Sequence, residues 1–222
     1  MPRMPAPRNK WQLIVLLLAV AAVAVVRMNR SVPWTRDVKP PGAPESTRDQ
    51  RRRPAATGKG WERIEGCTLV EDRSNDGDSF TLRHGGNDHT FRLYFADCPE
   101  KYRHQFNGER IAEQGAYFGG LTEAATVAAG EEARDFTLGL LRKGPVRVET
   151  RWERVFESDR RYAFVSAGGH DLAEALVARG LARIHTKGVS RPDGPSERDE
   201  KSRLYQLESS AKSQKLGAWG RR

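Results

Sequence analysis

Cysteine is scarce in this chain, and histidine is nearly as scarce. The 222 residues include two cysteines, Cys67 and Cys98, and five histidines. Two cysteines do not make the disulfide framework of a small secreted domain, and no CxxC pair or His/Cys cluster has the spacing of a zinc site. These absences exclude a zinc module and a disulfide-stabilised scaffold, and we expect both cysteines to be free thiols.

Most of the chain has no excess of positive over negative residues, although the net charge of the whole chain is +9. Residues 1–60 contain twelve Lys/Arg and three Asp/Glu, whereas residues 61–222 contain 26 of each sign. The basic balance therefore belongs to the first 60 residues. Any affinity of the remainder for nucleic acid must come from a local patch and not from its overall charge.

One long apolar run is present, at residues 11–26, with Lys or Arg on both sides. Sixteen residues of helix reach about 24 Å, which is short of the roughly 30 Å of a bilayer core. We assign residues 1–30 to a signal anchor or a signal peptide. Ala19-Val20-Ala21 fits a cleavage site, but Arg27 follows the run without a polar segment, which favours the anchor. Both alternatives predict export, either anchored in the membrane with the remainder outside the cytoplasm or secreted after cleavage.

Residues 31–59 have the composition of a linker, because they are rich in proline and arginine and lack apolar periodicity. Residues 60–222 form the predicted folded domain. Short strand-like runs come first, then two helix-like stretches within 107–143, two further strand-like runs and two terminal helices. This order predicts an α+β domain built on a five-stranded OB-fold β-barrel with packed helices, preceded in the chain by the N-terminal apolar targeting helix.

Acidic and basic side chains concentrate in two short motifs of this domain. Residues 76–79 read Asp-Gly-Asp-Ser, and residues 91–100 read Phe-Arg-Leu-Tyr-Phe-Ala-Asp-Cys-Pro-Glu. A single hairpin would gather their carboxylates around Arg92. Carboxylate oxygens suit a hard cation such as Ca²⁺, and a cation beside a guanidinium suits a phosphate. Taken alone, the Asp-Gly pair is equally typical of a plain turn.

The two motifs resemble the staphylococcal nuclease (thermonuclease-like) family, whose members carry D-G-D-[ST] followed by F-R-L-x-x-x-D-x-P-E. Two further segments are similar to that family in the same order. Residues 159–165 resemble its Y-G-R-x-L-A-Y-V segment, and residues 211–219 resemble its closing A-K-x-x-x-L-x-x-W. The resemblance extends over nearly the whole predicted domain and implies the same barrel fold.

The resemblance also implies roles for six site residues and for Asp76 beside them. Asp78 and Asp97 would be carboxylate ligands of calcium, and Cys98 would be a ligand through its backbone carbonyl. Arg92 and Arg160 would clamp the phosphate, with Arg161 as the alternative to Arg160. Glu100 would activate or orient the attacking water. Asp76 would shape the metal site from beside it.

The resulting prediction is an exported, calcium-dependent nuclease that hydrolyses phosphodiester bonds of DNA and RNA as a monomer. A non-catalytic, membrane-tethered OB-fold module that binds nucleic acid or another polyanion is the alternative, since OB barrels do both. Residues 101–129 include a segment that is longer than in the staphylococcal enzyme. Two roles are open for it, shaping access of the substrate or packing alone.

Overall fold

The computed structural model describes residues 60–221. The predicted targeting segment at residues 1–30 and the predicted linker at 31–59 lie outside this range. Eight strands are present in the described part of the chain: β1 (Glu62–Leu69), β2 (Ser79–His84), β3 (Asn87–Leu93), β4 (Ala96–Asp97), β5 (Val146–Arg154), β6 (Arg161–Ala167), β7 (His170–Asp171) and β8 (Arg183–Ile184).

Five of these strands close into a β-barrel. Antiparallel pairs join β3 to β2, β2 to β1, β1 to β5 and β5 to β6, and β6 then pairs in parallel with β3. The bend needed for closure is visible in β1, where the register shifts between Glu65 and Cys67. Gly66 lies at that point with a φ of +72°, which glycine adopts without the steric cost of a side chain. The predicted five-stranded barrel is thus confirmed.

Four α-helices and one short 3₁₀-helix surround the barrel in the described residues. They are α1 (Gly108–Tyr117), α2 (Glu123–Lys143), α3 (Leu172–Ala178), α4 (Glu197–Ser213) and the 3₁₀-helix Gly217–Gly220. Side chains of Thr122, Asp171 and Ser196 accept hydrogen bonds from backbone N–H groups in the first turns of α2, α3 and α4. Threonine, aspartate and serine are among the residues that favour the N-cap position, so the sequence itself predicts these three caps.

The predicted cap of α1 differs from the other three. Asn107 precedes the helix as expected, but its side chain makes no capping hydrogen bond. It instead accepts a hydrogen bond from the backbone N–H of His104 and donates one to the carbonyl of Tyr102. Asn107 therefore ties the loop before α1 together, which fixes the point where this helix leaves the barrel.

The core fills the barrel and continues beneath α2, α3 and α4. Its largest fully buried side chains include Phe80, Leu82, Phe91, Leu93 and Tyr94. Cys67 and Cys98 are both buried and free, as the sequence predicts. Within residues 60–221, no helix has the length and apolar character that crossing a membrane requires.

Candidate active-site cleft

A polar cleft opens beside the β2–β3 hairpin and has a volume of about 980 Å³. The hairpin and the turn that follows β4 form one side of it, and the segment leading into α1 forms another. All six predicted site residues line this cleft: Asp78, Arg92, Asp97, Cys98, Glu100 and Arg160. The fold therefore brings together residues that are up to 82 positions apart in the sequence.

Asp78 enters the cleft from the turn just before β2. Its Oδ2 accepts a hydrogen bond of 2.7 Å from the backbone N–H of Cys98, and its Oδ1 accepts one of 3.0 Å from Ser79 Oγ. The turn packs so closely that a Cβ added to Gly77 would lie 2.7 Å from Cys98 Sγ. The glycine of the Asp-Gly-Asp-Ser motif thus lets this loop lie directly against the turn at Cys98.

The carboxyl groups of Asp76 and Asp78 both have a raised pKa. Burial is the larger cause for Asp76, with repulsion from Asp78 second, and together they raise its pKa to about 7. Burial also raises the pKa of Asp78, although Arg92 opposes the shift. Two desolvated carboxylates of this kind are a favourable environment for a cation.

Arg92 lies between the two aspartates that were predicted as metal ligands. One guanidinium nitrogen, Nη1, is 3.1 Å from Asp78 Oδ1, and the other, Nη2, is 2.6 Å from Asp97 Oδ1. The residue is 8% exposed. Burial would lower the pKa of Arg92, but Asp78 and Asp97 raise it well above its ordinary value, so its positive charge is fixed.

Asp97 receives four side-chain hydrogen bonds in this cleft. Its Oδ1 accepts from Arg92 and from Arg110 Nη2 (2.7 Å), and its Oδ2 accepts from Arg183 Nε (2.7 Å) and Gln114 Nε2 (3.1 Å). Burial would raise the pKa of Asp97, but Arg110, Arg92 and Arg183 hold it below its ordinary value. Asp97 is therefore the centre of a cluster of guanidinium groups.

Glu100 is more accessible than Asp78 and Asp97, with a side chain that is 24% exposed against 4% and 1%. Its Oε1 is 2.5 Å from Nε of Arg110, and its backbone N–H donates to Gln114 Oε1 at 3.0 Å. The contact with Arg110 is an ion pair and not a hydrogen bond, since the buried Nε of Arg110 makes no well-directed hydrogen bond. Glu100 thus has a fixed backbone and a carboxylate that faces the cleft.

Arg160 differs from Arg92 in having no carboxylate partner among the ion pairs of the described residues. Its guanidinium makes only long contacts of 3.4 Å, from Nε to Ser158 Oγ and from Nη1 to Ser79 Oγ. Burial and the neighbouring positive charge of Arg92 lower the pKa of Arg160. Arg161, the alternative candidate, donates from Nη1 to the backbone carbonyls of Asp159 and Arg160 and does not line the cleft.

Three residues of the site were missed by the sequence analysis: Arg110, Gln114 and Arg183. Arg110 and Gln114 are four residues apart on α1 and so share one helix face. Arg183 lies on β8, directly opposite Asp97 on β4 in the strand pairing. The i, i+4 pair of polar residues was a signal for the first two, whereas Arg183 had no local signal because its place depends on this long-range pairing.

Residues 101–129 both line the cleft and pack against the rest of the domain. His104, Asn107 and Arg110 line the cleft, which is the position that shaping substrate access would require. Tyr117 and Phe118 pack against Trp219 near the end of the chain.

Phe156 forms part of the cleft rim from the β5–β6 connection and is 84% exposed, with a φ of +50° that is rare for a bulky residue.

The donor set fits a hard cation only in part. Asp76, Asp78 and the Cys98 carbonyl supply oxygen ligands, and Asp78 Oδ2 has only one hydrogen-bond donor. The carbonyl of Cys98 accepts a hydrogen bond of 2.9 Å from Gln114 Nε2. Within residues 60–221, however, no three His, Cys, Asp or Glu side chains are grouped as a ready metal site. Arg92 and the other donors to Asp97 explain this, since they occupy the positions between the carboxylates.

Comparison with protein families gives one match, described as staphylococcal nuclease homologue, over residues 90–221. The matched region is more than half of the chain and includes Arg92, Asp97, Glu100 and Arg160. It begins after Asp76 and Asp78, so the first half of the β2–β3 hairpin is supported by the structure alone.

Proposed function

The chain belongs to the family of staphylococcal nuclease homologues, and from that premise we propose that it is a calcium-dependent nuclease that hydrolyses phosphodiester bonds of DNA and RNA. The observation that carries the proposal is the convergence of Arg92, Arg160, Asp78 and Glu100 in one cleft. Guanidinium groups, buried carboxylates and an accessible carboxylate are the parts that phosphodiester hydrolysis needs.

Arg160 is the group best placed to bind the phosphate of the substrate. Its guanidinium is partly desolvated, lies beside Arg92 and has no carboxylate counterion among the described ion pairs, so an anion there would relieve an unfavourable environment. Arg92 adds a second fixed positive charge, but it is already engaged by two aspartates. Negative charge grows on the phosphate oxygens during attack, and pre-placed guanidinium groups stabilise it.

Glu100 is the proposed base that takes a proton from the attacking water. Its carboxylate faces the cleft, and Pro99 and the hydrogen bond from its own N–H to Gln114 fix its backbone. As attack forms the new P–O bond, the bond to the 5′-oxygen breaks and that oxygen takes up a proton from water, which leaves a 3′-phosphate and a 5′-hydroxyl. A general base of this kind contributes about 10²–10⁴-fold to the rate.

Calcium would be held through Asp78, Asp97 and the backbone carbonyl of Cys98, with Asp76 beside them. When bound, the ion would neutralise charge on the phosphate as a Lewis acid. The oxygen chemistry and the raised carboxyl pKa values of Asp76 and Asp78 support this assignment. We also propose, from the sequence alone, that the chain is a monomer exported from the cytoplasm and tethered to the membrane by residues 11–26.

The second candidate is a module that binds nucleic acid without cleaving it. The donors that fill both oxygens of Asp97 favour this alternative, because they leave that carboxylate no open position for a metal ion. A binding module would bind polyanions through the same guanidinium groups but would have no use for Glu100.

The test is cleavage of plasmid DNA and of a single-stranded RNA by the purified chain, with calcium and with EDTA. We expect cleavage of both substrates in calcium, none in EDTA, and products that carry 3′-phosphate ends. Glu100→Gln is the matched control for a contaminating nuclease, because its preparation should bind substrate but not cleave it. Binding without cleavage by the wild type would overturn the nuclease proposal in favour of the binding module, and equal cleavage in EDTA would overturn the calcium requirement.

A further inference from the structure

Arg110 connects the proposed metal ligand to the proposed base. It projects from the first turn of α1, with Nη2 2.7 Å from Asp97 Oδ1 and Nε 2.5 Å from Glu100 Oε1. One guanidinium therefore bridges two carboxylates on the cleft side of the site. The motif that identifies Asp97 and Glu100 ends at Glu100, so Arg110 lies outside it, on α1.

Asp97 has no open acceptor position while Arg110 is in place. Each of its two oxygens offers about two lone pairs, and each receives two nitrogen donors. A hard cation binds directly to such a lone pair. For a cation to bind to Asp97, one of the four donors must therefore leave.

Exposure identifies which donor can leave. The side chains of Arg92 and Arg183 are only 10% and 3% exposed. Gln114 is fully buried and also bonds to the Cys98 carbonyl. Arg110 alone among the four has a side chain open to water, at 42%, so its guanidinium can be hydrated when it separates from Asp97.

Charge supports the same residue. Arg110 places a positive guanidinium beside both Asp97 and Glu100, with nitrogens 2.7 Å and 2.5 Å from their oxygens. That guanidinium would repel a divalent cation at Asp97, so its departure would favour binding of the cation on electrostatic grounds as well.

We propose that Arg110 is a positioning residue that competes with a divalent cation for Asp97, so that binding of the cation and release of Arg110 from Asp97 are coupled. The proposal rests on the proposed function for the identity of the cation. It makes Arg110 an internal substitute that holds Asp97 and Glu100 in place in the metal-free protein. It also predicts that removing Arg110 strengthens cation binding, whereas removing a residue from a binding site usually weakens it.

The test is isothermal titration of calcium into the purified chain without nucleic acid, in the wild type and in Arg110→Met. Methionine keeps most of the length of the side chain but removes its charge and donors. We expect the Kd for calcium to fall about tenfold, as fits the loss of one charge-assisted hydrogen bond that competes for the ligand. The thermal midpoint of unfolding of each variant in EDTA checks that it is folded.

Arg160→Met is the matched control, because it removes the same charge from the same cleft but no contact with Asp97. A general electrostatic effect would tighten calcium binding in both variants alike, and that result would overturn the competition. We expect the fall in the Kd for calcium to be at least threefold larger in Arg110→Met than in Arg160→Met. Arg110→Lys keeps the charge on a shorter donor group and should fall between the wild type and Arg110→Met, which gives a second reading if Arg110→Met does not fold.

The remaining outcomes separate this proposal from the nuclease proposal. If wild type and Arg110→Met bind calcium equally and the wild type cleaves nucleic acid, the competition is wrong and the nuclease proposal stands. Binding by Arg110→Met alone would be the strongest support for competition. If no variant binds calcium but the wild type cleaves nucleic acid in EDTA, the calcium requirement is wrong and the nuclease activity stands. If no variant binds calcium and none cleaves nucleic acid, both proposals fail.

Discussion

The two sides of the cleft differ in how their charged groups are placed. The hairpin side, residues 76–100, places Asp78 and Arg92 through the strand register, since Ser79 is paired with Arg92 across β2 and β3. The α1 side, residues 101–117, places Arg110 and Gln114 by docking a helix against the turn that carries Asp97 and Glu100. Apart from Arg160, which comes from the β5–β6 connection, the hairpin side supplies the groups proposed to act on phosphate, and the α1 side supplies the groups that hold them. The residues proposed to react and the residues that position them thus come from separate segments of the chain.

Glu100→Gln gives the largest expected effect, because it removes the proposed base but leaves the other carboxylates intact. We expect kcat to fall about 10²–10⁴-fold. The Kd for calcium should stay within about threefold of the wild type, since the proposed ligands are Asp78, Asp97 and the Cys98 carbonyl. Single-turnover cleavage of an oligonucleotide and calcium titration measure the two quantities. Near wild-type kcat would mean that the hairpin side lacks the base.

Arg92→Lys tests whether the hairpin side depends on guanidinium geometry or only on charge. Arg92 uses two different nitrogens on Asp78 and Asp97, and a single ammonium group cannot reproduce that fork. We expect kcat to fall roughly 10²-fold, by analogy with the loss of one preorganised donor to a developing oxyanion. Steady-state kinetics at saturating substrate measures it. A lysine variant with full activity would show that charge alone suffices.

Gly130→Ala tests how far the packing of α2 controls Glu100. A Cβ at Gly130 would lie 2.5 Å from the carbonyl oxygen of Pro99 and 2.6 Å from the carbonyl carbon of Glu100. Backbone cannot yield as a flexible side chain does, so we expect a loss of about 1–3 kcal/mol in the free energy of unfolding. We also expect activity to fall roughly tenfold, because small displacements of a catalytic group are costly. Urea unfolding and kcat report the two effects.

Gly139→Ala is the control on the same helix. No atom lies within 4 Å of a Cβ built there, so the helix propensity of alanine should raise the free energy of unfolding by about 0.5–1 kcal/mol. Its kcat should be that of the wild type. If both alanine variants behaved alike, the contact between α2 and the Glu100 turn would have no role in positioning the base.

Phe156→Ala gives the smallest expected effect and concerns the rim of the cleft. Phe156 is 84% exposed beside the cleft, and an exposed aromatic ring next to a phosphate site can stack on an unpaired base. We expect KM for a single-stranded oligonucleotide to rise several-fold with little change in kcat. Phe106→Ala is the matched control, since Phe106 is 83% exposed but does not line the cleft. Equal KM values for the two variants would remove Phe156 from the binding surface.

The hairpin side was predictable because its two motifs resemble those of a known family. That resemblance pointed to Asp78 and Arg92, and strand pairing explains why they meet. Elsewhere in the domain, the cap residues Thr122, Asp171 and Ser196 marked the starts of three helices. Arg110 was not predictable in the same way, because an arginine on a short helix has many possible partners until the docking of the helix is known. Arg183 depends on pairing between two-residue strands, which carry almost no sequence pattern.

The parallel pairing of β3 with β6 has a kinetic consequence. Phe91 lies opposite Arg161 in that pairing, 70 positions apart in the sequence, so Arg92 and Arg160 become neighbours only when the ends of the sheet meet. Contacts of such long range close late, after the local helices have formed. During refolding, helical circular dichroism should therefore recover before catalytic competence, and a chain arrested before barrel closure would contain every proposed active-site residue but no assembled active site.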